Sequence, residues 1–238
     1  MLRTVILTTE TTHHLYYVWK LHALCSLEAV ILETKLLQPD FPTTHPFEKD
    51  RDKFEKKEIL KEAPEKISNI VPVSQYESVN ENSCIEKIKR LAPDIIIIFG
   101  TRRVSAEVIS LPSIACLNLH GGAPEYYRGL DSHLWTIYHN DFNNLVTTLH
   151  YVEPTLDTGK IVFEKKLNIT KETTLEKLRI LNTEACISMS ALAISTLRTN
   201  CNLPSRIQSQ TGRYYSFMPT TLKEICVIKY NRHLQKIK

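Results

Sequence analysis

The sequence predicts an α/β fold: a mostly parallel sheet flanked by helices, followed by a small C-terminal extension. Two observations carry this expectation. Short β-branched apolar runs alternate with longer segments of helical periodicity, which is the signature of strands joined by crossover helices. The run at 95–99, Ile-Ile-Ile-Ile-Phe, has no polar position, as a central strand covered on both faces requires.

Residues 2–8 and 29–33 read as the first two strands. Between them Leu15, Val18, Trp19, His22 and Leu24 recur at roughly helical spacing. A loop rich in Pro and Thr at 39–46 leads into 47–63. That stretch is so charged and so poor in apolar residues that a solvated helix or mobile segment is expected. Residues 70–73 look like a short strand, and 82–91 a helix ending before Pro93. A strand at 94–99, a short helix or turn at 104–110 and a core strand at 114–119 follow. The helix expected at 131–140 would take Asp131 or Ser132 as its cap. Strands at 145–152 and 160–167 bracket a loop that carries Asp157. Thr173-Thr174-Leu175-Glu176 reads as a capping box opening a long helix over 173–197. Beyond Pro204 the character changes: 206–217, centred on Thr211-Gly212, suggests a β-hairpin, and 220–226 a short helix.

The 238 residues fit one domain, or one domain with an appendage, and 42% hydrophobic and 24% charged residues are ordinary for a soluble protein. The apolar run at 95–99 is too short to span a bilayer, and the N-terminus lacks signal-peptide architecture. A cytoplasmic location with no membrane partner is expected. A net charge of +4 is mild, and no basic stripe is interleaved with aromatics. An anionic small substrate accounts for it, and no nucleic-acid partner is expected. Cys25, Cys84, Cys116, Cys186, Cys201 and Cys226 form no CxxC or metal spacing, so they read as reduced, mostly buried thiols, with no metal site. His13, His14, His139 and His233 have no partner at ligand spacing and read as structural or exposed.

Chemistry concentrates between Cys116 and Gly159. Asn118 and His120 lie two apart at the end of an apolar run, so both point the same way from a strand. The loop Gly121-Gly122-Ala123-Pro124-Glu125-Tyr126-Tyr127-Arg128-Gly129 follows. Asp157, 37 positions after His120, sits in Leu156-Asp157-Thr158-Gly159 beyond the strand that carries His150. An amide, an imidazole and a carboxylate suit acyl transfer: a donor for a developing oxyanion, a group that exchanges protons near neutral pH, and an acid to orient it.

Asn-x-His, a loop closing on Arg-Gly, and Leu-Asp-Thr-Gly after a Thr-x-x-His strand resemble the 10-formyltetrahydrofolate-dependent formyltransferases. The resemblance is strongest over 94–162 and weak before 92 and after 197. It implies a formyltransferase, Rossmann-like fold with a catalytic domain over 1–203. The extension, 204–238, would then help build a homodimer; packing on its own domain is the equal alternative. It further implies a proton shuttle at His120, an oxyanion donor at Asn118 and an orienting acid at Asp157, with His150 less suited to proton exchange. N10-formyltetrahydrofolate would be the formyl donor. Its pocket is assigned by position to Gly100, Thr101, Arg102, Arg103 and Val104, with Val152, Glu153, Pro154 and Thr155 opposite. Tyr126, Tyr127, Arg128 and Trp135 are the substrate-side candidates. Arg128 suits a diphosphate or a loop brace, while Tyr126 and Trp135 suit a base or the core.

Departures from the family's patterns narrow the substrate. The glycinamide ribonucleotide enzymes carry a Gly-rich loop after the first strand, where this chain has Thr8-Thr9-Glu10-Thr11-Thr12-His13-His14. Methionyl-tRNA formyltransferases add a C-terminal nucleic-acid-binding barrel, for which 200–238 leave no room. Formyltetrahydrofolate hydrolases place a regulatory domain ahead of the first strand. The expectation is therefore a sugar N-formyltransferase acting on a nucleotide-linked 4-amino-4,6-dideoxy sugar, first of all a dTDP-linked one, for surface polysaccharide such as O-antigen. A methionyl-tRNA or other amine formyltransferase without its tail domain is the alternative, and a catalytically silent folate-binding module a third.

Overall fold

The computed structural model describes residues 2–200 and 202–237, so Cys201 lies outside the described residues. In chain order the elements are β1 (Thr4–Thr8), α1 (Thr12–Leu24), β2 (Ala29–Glu33), α2 (Pro46–Ile59), β3 (Val73–Tyr76), α3 (Asn82–Leu91), β4 (Ile95–Phe99), α4 (Ala106–Ile109) and β5 (Ala115–His120). There follow β6 (Tyr127–Gly129), α5 (Ser132–Tyr138), β7 (Val146–Tyr151), β8 (Ile161–Lys166), α6 (Leu178–Asn200), β9 (Arg213–Tyr215) and α7 (Thr220–Leu234). Seven strands form one sheet in the order β3-β2-β1-β4-β5-β7-β8. The first five are parallel, and β7 and β8 are antiparallel additions at one edge.

Period-two alternation builds two cores from the same strands. Ile6, Val30, Ile95, Ile97 and Leu117 face one side, where Tyr17 and Leu21 of α1 and Cys186, Ile187 and Ile194 of α6 cover them. Val5, Leu7, Ile31, Ile96, Ile98 and Cys116 face the other, against Cys84, Ile85 and Ile88 of α3 and Val108 of α4. Each fully buried isoleucine of β4 contributes about 1.5–3 kcal/mol relative to exposure. The helical stretch 175–200 is long and apolar enough to cross a membrane by composition, yet 56% of its most apolar window is buried in this core.

Three expectations need correction. The charged segment at 47–63 is largely the solvated helix expected, but α2 ends at Ile59 and is not solvated all round: Phe47 and Glu55 are buried. Glu55 can be buried because Arg179 of α6 forks onto its carboxylate and onto Asp52 Oδ1, 2.6 Å away. His45 starts the helix by accepting from Phe47 N, Glu48 accepts from His45 N at 2.8 Å, and Pro46 sits where its missing N–H is harmless. The third strand lies later than expected, at Val73–Tyr76. The capping box at 173–176 does not form: Thr173 Oγ1 instead accepts from Thr170 N at 3.0 Å, and a 3-10 turn at Leu175–Lys177 precedes α6.

The hairpin expected at 206–217 is also absent. Residue 206 bridges to Ile161, and β9 pairs in parallel with β6, 86 residues earlier in register at Tyr127↔Arg213. The segment therefore straps the loop after β5 instead of folding on itself. Arg206 forks onto Glu125 at 2.9 and 2.7 Å, and Ser209 N donates to the same carboxylate at 2.6 Å. Gln210 Nε2 reaches Glu125 O at 3.1 Å. The short helix expected at 220–226 extends to Leu234, and α7 buries Cys226 and Tyr230 against α5 and the 3-10 turn.

The Arg206 fork, working against burial and helped by Ser209, holds the Glu125 carboxyl down to about 2, from a usual 4.5. A depressed folded-state value stabilises fully above pH 4.5, and the contribution disappears as pH falls toward 2. Glu125→Gln is therefore expected to lose about 1–3 kcal/mol at neutral pH. Its stability should converge with the wild type near the acid end of that window. Urea unfolding across pH measures both; a difference that stays constant down to pH 2 would remove Glu125 from the acid response.

Candidate active site

The C-terminal ends of β4 and β5, the place where an open α/β sheet leaves a crevice, open onto a cavity of ≈400 Å³. Asn118 and His120 project into it from β5 on the same face, as their spacing requires. Antiparallel pairing sets His150 of β7 directly opposite Asn118. A tight return after β7 brings Asp157 back over both strands. The four side chains meet in one buried cluster.

Asp157 is its centre. One carboxylate oxygen lies 3.6 Å from His120 Nδ1 and accepts from Gly129 N at 2.9 Å. The other lies 3.5 Å from His150 Nε2 and 3.4 Å from Asn118 Nδ2. Burial pushes the Asp157 carboxyl upward, but the two imidazoles and the Gly129 N–H outweigh it and hold the group well below the usual carboxylate range. Asp157 is therefore ionised across the neutral range. Asp157 also adopts φ 54°, a left-handed conformation that Asp tolerates better than most residues.

Hydrogen bonding fixes the imidazole tautomers. His120 Nε2 lies 2.7 Å from Tyr127 O, and a carbonyl only accepts, so Nε2 carries a hydrogen. Nδ1, facing Asp157, is the atom left to exchange a proton. His150 Nδ1 likewise donates to Tyr151 O at 2.8 Å, and its Nε2 stands 3.1 Å from Asn118 Nδ2 and 3.5 Å from Asp157 Oδ1. The Asn118 amide thus stands between His150 and Asp157, with its donors turned into the cluster.

The cavity wall includes Gly100, Thr101, Arg102, Arg103 and Val104 after β4, and Val152, Glu153 and Leu156 from the return after β7. Pro154 and Thr155 are not on its wall. Pro154 O takes the Arg103 guanidinium at 3.0 and 2.6 Å, tying the two sides together, and Thr155 O accepts from Thr158 Oγ1. Glu33, 2% exposed, accepts from Arg102 N and Arg102 Nη2 and fixes the turn after β4. Gly100 has φ +83°, and a Cβ there would lie 2.6 Å from His14 Nε2, so both conformation and contact demand glycine.

The same wall continues through His13 and His14 of α1, Phe47 and Arg51 of α2, residues 129–134, and Leu178, Arg179 and Asn182 of α6. Burial and the nearby Arg179 charge push the His14 imidazole down to about 3, and burial takes His133 to about 4, so both are neutral walls at ordinary pH. Among the described residues no group of three or more His, Cys, Asp or Glu is placed to hold a metal.

The substrate-side residues expected from sequence lie elsewhere. Arg128 does not line the cavity; it braces the loop, Nε to Gly212 O at 2.6 Å and Nη1 to Leu156 O at 3.2 Å. Tyr126 is exposed. Tyr127 stacks on Tyr215, with its hydroxyl on Asp141 at 3.0 Å, and Trp135 packs on Tyr215 and donates to Ser216 O. Trp135 and Tyr215 instead edge a second recess, together with Tyr138, His139 and Arg213. Sequence reasoning underrated His150, whose place is set by cross-strand register with Asn118 and not by any spacing along the chain. It also passed over Arg51, hidden in a stretch without apolar periodicity.

A family model described as formyl transferase matches residues 41–190, well over half of the chain. The chain belongs to the formyl transferase family. Its Asn118, His120, His150 and Asp157 all fall within the matched region. Among curated relatives, the methionyl-tRNA formyltransferase of Clostridioides difficile is 27% identical over 175 residues, 72% of this chain and 54% of that protein. The chain spans about half the length of the curated relatives it matches. Among solved structures, a sugar N-formyltransferase from Shewanella sp superposes with a TM-score of 0.64 at 12% identity, over 95% of this chain and 87% of that one. A formyltransferase from Anoxybacillus kamchatkensis, in complex with UDP-4,6-dideoxy-4-formamido-L-AltNAc and tetrahydrofolate, gives 0.52 at 16% identity, over 90% and 85%. At these identities the likeness is one of fold.

The return that carries Asp157 depends on Gly159, where an added Cβ would lie 1.8 Å from Tyr151 O. Gly159→Ala is expected to cost about 1–3 kcal/mol of stability, as overpacking does, and to pull Asp157 off the imidazoles. Denaturant unfolding reads the first effect, and the ring 15N shifts of His120 and His150 read the second. Unchanged ring shifts would mean that this close approach does not place the carboxylate.

Proposed function

We propose that this formyl transferase moves the formyl group of N10-formyltetrahydrofolate to the amine of a nucleotide-linked 4-amino-4,6-dideoxy sugar, with dTDP the first choice of nucleotide. The observation that carries the reading is the buried Asn118–His120–His150–Asp157 cluster on the wall of one cavity of ≈400 Å³. A cavity with proton-handling groups on its wall suits a transfer between two bound molecules. The Anoxybacillus enzyme, whose structure contains both a nucleotide-linked formamido sugar and tetrahydrofolate, supports that pair.

The cavity wall beside β4 fits the folate. Arg102 Nε is buried there without a hydrogen-bond partner among the described residues, and Val104 enters no backbone hydrogen bond outside the regular elements. A flat ring with polar edges needs donors and acceptors of this kind between close walls. Arg102, Arg103, Val104, Val152, Glu153 and Leu156 would hold it. When bound, the folate supplies an activated formyl group whose oxygen gains negative charge as an amine adds.

The chain's own residues then divide the work. His120 accepts the amine's proton at Nδ1 and later releases it from the same atom. Asp157, anionic throughout, balances the charge that the imidazole gains. Asn118 supplies an N–H to the oxyanion by exchanging one of its two present partners, and such a donor is worth about 3 kcal/mol in the transition state. His150 keeps the Asn118 amide oriented in the meantime.

The curated relatives favour a second reading, methionyl-tRNA as acceptor, since those at 25–32% identity carry that name. Tetrahydrofolate release decides the matter when assayed with dTDP-linked 4-amino-4,6-dideoxyglucose, its UDP counterpart and charged initiator tRNA in turn. The expected result is turnover with an amino-sugar nucleotide alone. Turnover with the tRNA alone would select the second reading, and none with any amine would sink both. His120→Ala should lower the observed rate by about 10²–10⁴-fold, the usual contribution of a general acid–base group. A near-normal rate in that variant would take His120 out of the chemistry.

A further inference from the structure

We infer that Arg51 is a specificity residue, anchoring a phosphate group of the acceptor at the cavity wall formed by α1, α2 and α6. This deepens the proposed function and rests on it. Arg51 lines the cavity that holds the Asn118–His120–Asp157 cluster, with its side chain 18% exposed. Its Nε is buried and has no hydrogen-bond partner among the described residues. The nearest carboxylates stand off, Asp52 Oδ1 at 3.5 Å and Glu48 Oε1 at 3.9 Å.

Those carboxylates are ion-pair neighbours of Arg51 but make their short hydrogen bonds to other groups. Glu48 accepts from Lys223 Nζ at 2.9 Å and from His45 N at 2.8 Å. Asp52 and Glu55 are taken by the Arg179 fork. Asp131, also on the cavity wall, accepts from Met218 N at 2.8 Å and lies 3.9 Å from Lys223. Glu48 and Asp52 thus offer Arg51 ion pairs at 3.9 and 3.5 Å but no hydrogen bond, and Glu55 and Asp131 are held by other groups.

A buried, charged donor with no acceptor is costly unless something supplies one. The guanidinium fork matches a phosphate oxygen pair in geometry and charge, and it does so better than a lysine. The Phe47 ring, 5.9 Å from the guanidinium carbon, backs the side chain on the same helix. Arg128, the residue that sequence would assign to a diphosphate, is committed to two carbonyls outside the cavity. Among the cations on this part of the wall, Arg179 is held by Asp52 and Glu55, which leaves Arg51 as the one with open donors among the described residues.

The test is calorimetric binding of thymidine diphosphate, inorganic pyrophosphate and tetrahydrofolate to the wild type, Arg51→Gln and Arg51→Lys. The Arg51 side chain makes no hydrogen bond among the described residues, only ion pairs at 3.9 and 3.5 Å, so the variants should melt close to the wild type. Loss of a charge-assisted contact should weaken both diphosphates by about 10–100-fold in Arg51→Gln, with partial recovery in Arg51→Lys. Tetrahydrofolate binding should not move. In the wild type, saturating pyrophosphate should shield Arg51 from phenylglyoxal, read by peptide mass. That arm needs no substitution to fold. Diphosphate affinity that survives Arg51→Gln, or Arg51 modification indifferent to pyrophosphate, overturns the inference. So does a wild type that binds tetrahydrofolate but neither diphosphate, and this outcome leaves formyl transfer standing. Failure of tetrahydrofolate to bind sinks the underlying reading as well.

Discussion

A single buried carboxylate organises this molecule. Asp157 touches two histidines, one asparagine and one backbone N–H, and those partners come from β5, β7 and the loop ending in β6. The C-terminal segment joins the same knot, since Gln208 Nε2 bonds Asp157 O and Gly159 O at 2.9 Å each. A charge in such a place is tolerable only because every partner is present at once. Folding of the sheet edge, placement of the loop after β5 and docking of the C-terminal strap therefore converge on one ionised group.

Much of the sheet was readable because its strands obey simple rules. The run at 95–99 could only be a covered central strand, and Asn118 with His120 could only share a face. Helix α3 was legible to the residue because Pro93 and a clear apolar stripe delimit it. The C-terminal segment was not legible for the opposite reason. Its β9 pairs with β6 across the chain, and no local turn signal announces a partner 86 residues away.

Helix α2 shows a different blindness. Hydrophobic periodicity finds faces that are buried because they are apolar. The inner face of α2 is instead buried through pairing, with Glu55 fully enclosed by an arginine 124 residues downstream. Nothing in 46–59 alone reports that pairing, so the segment reads as solvated. The same limit hid Arg51. His150 was undervalued on other grounds: its role comes from cross-strand register with Asn118, which sequence spacing does not display.

The hydrogen bond from His120 to the Tyr127 carbonyl has a stereochemical consequence. With one ring nitrogen sealed against the backbone, and Gly122 lying directly behind it, the imidazole has one nitrogen left, and that one faces Asp157. On the chemistry proposed above, a proton would enter and leave this ring by the same edge, one transfer after the other. That restriction is imposed by a main-chain oxygen, which no side-chain substitution can remove.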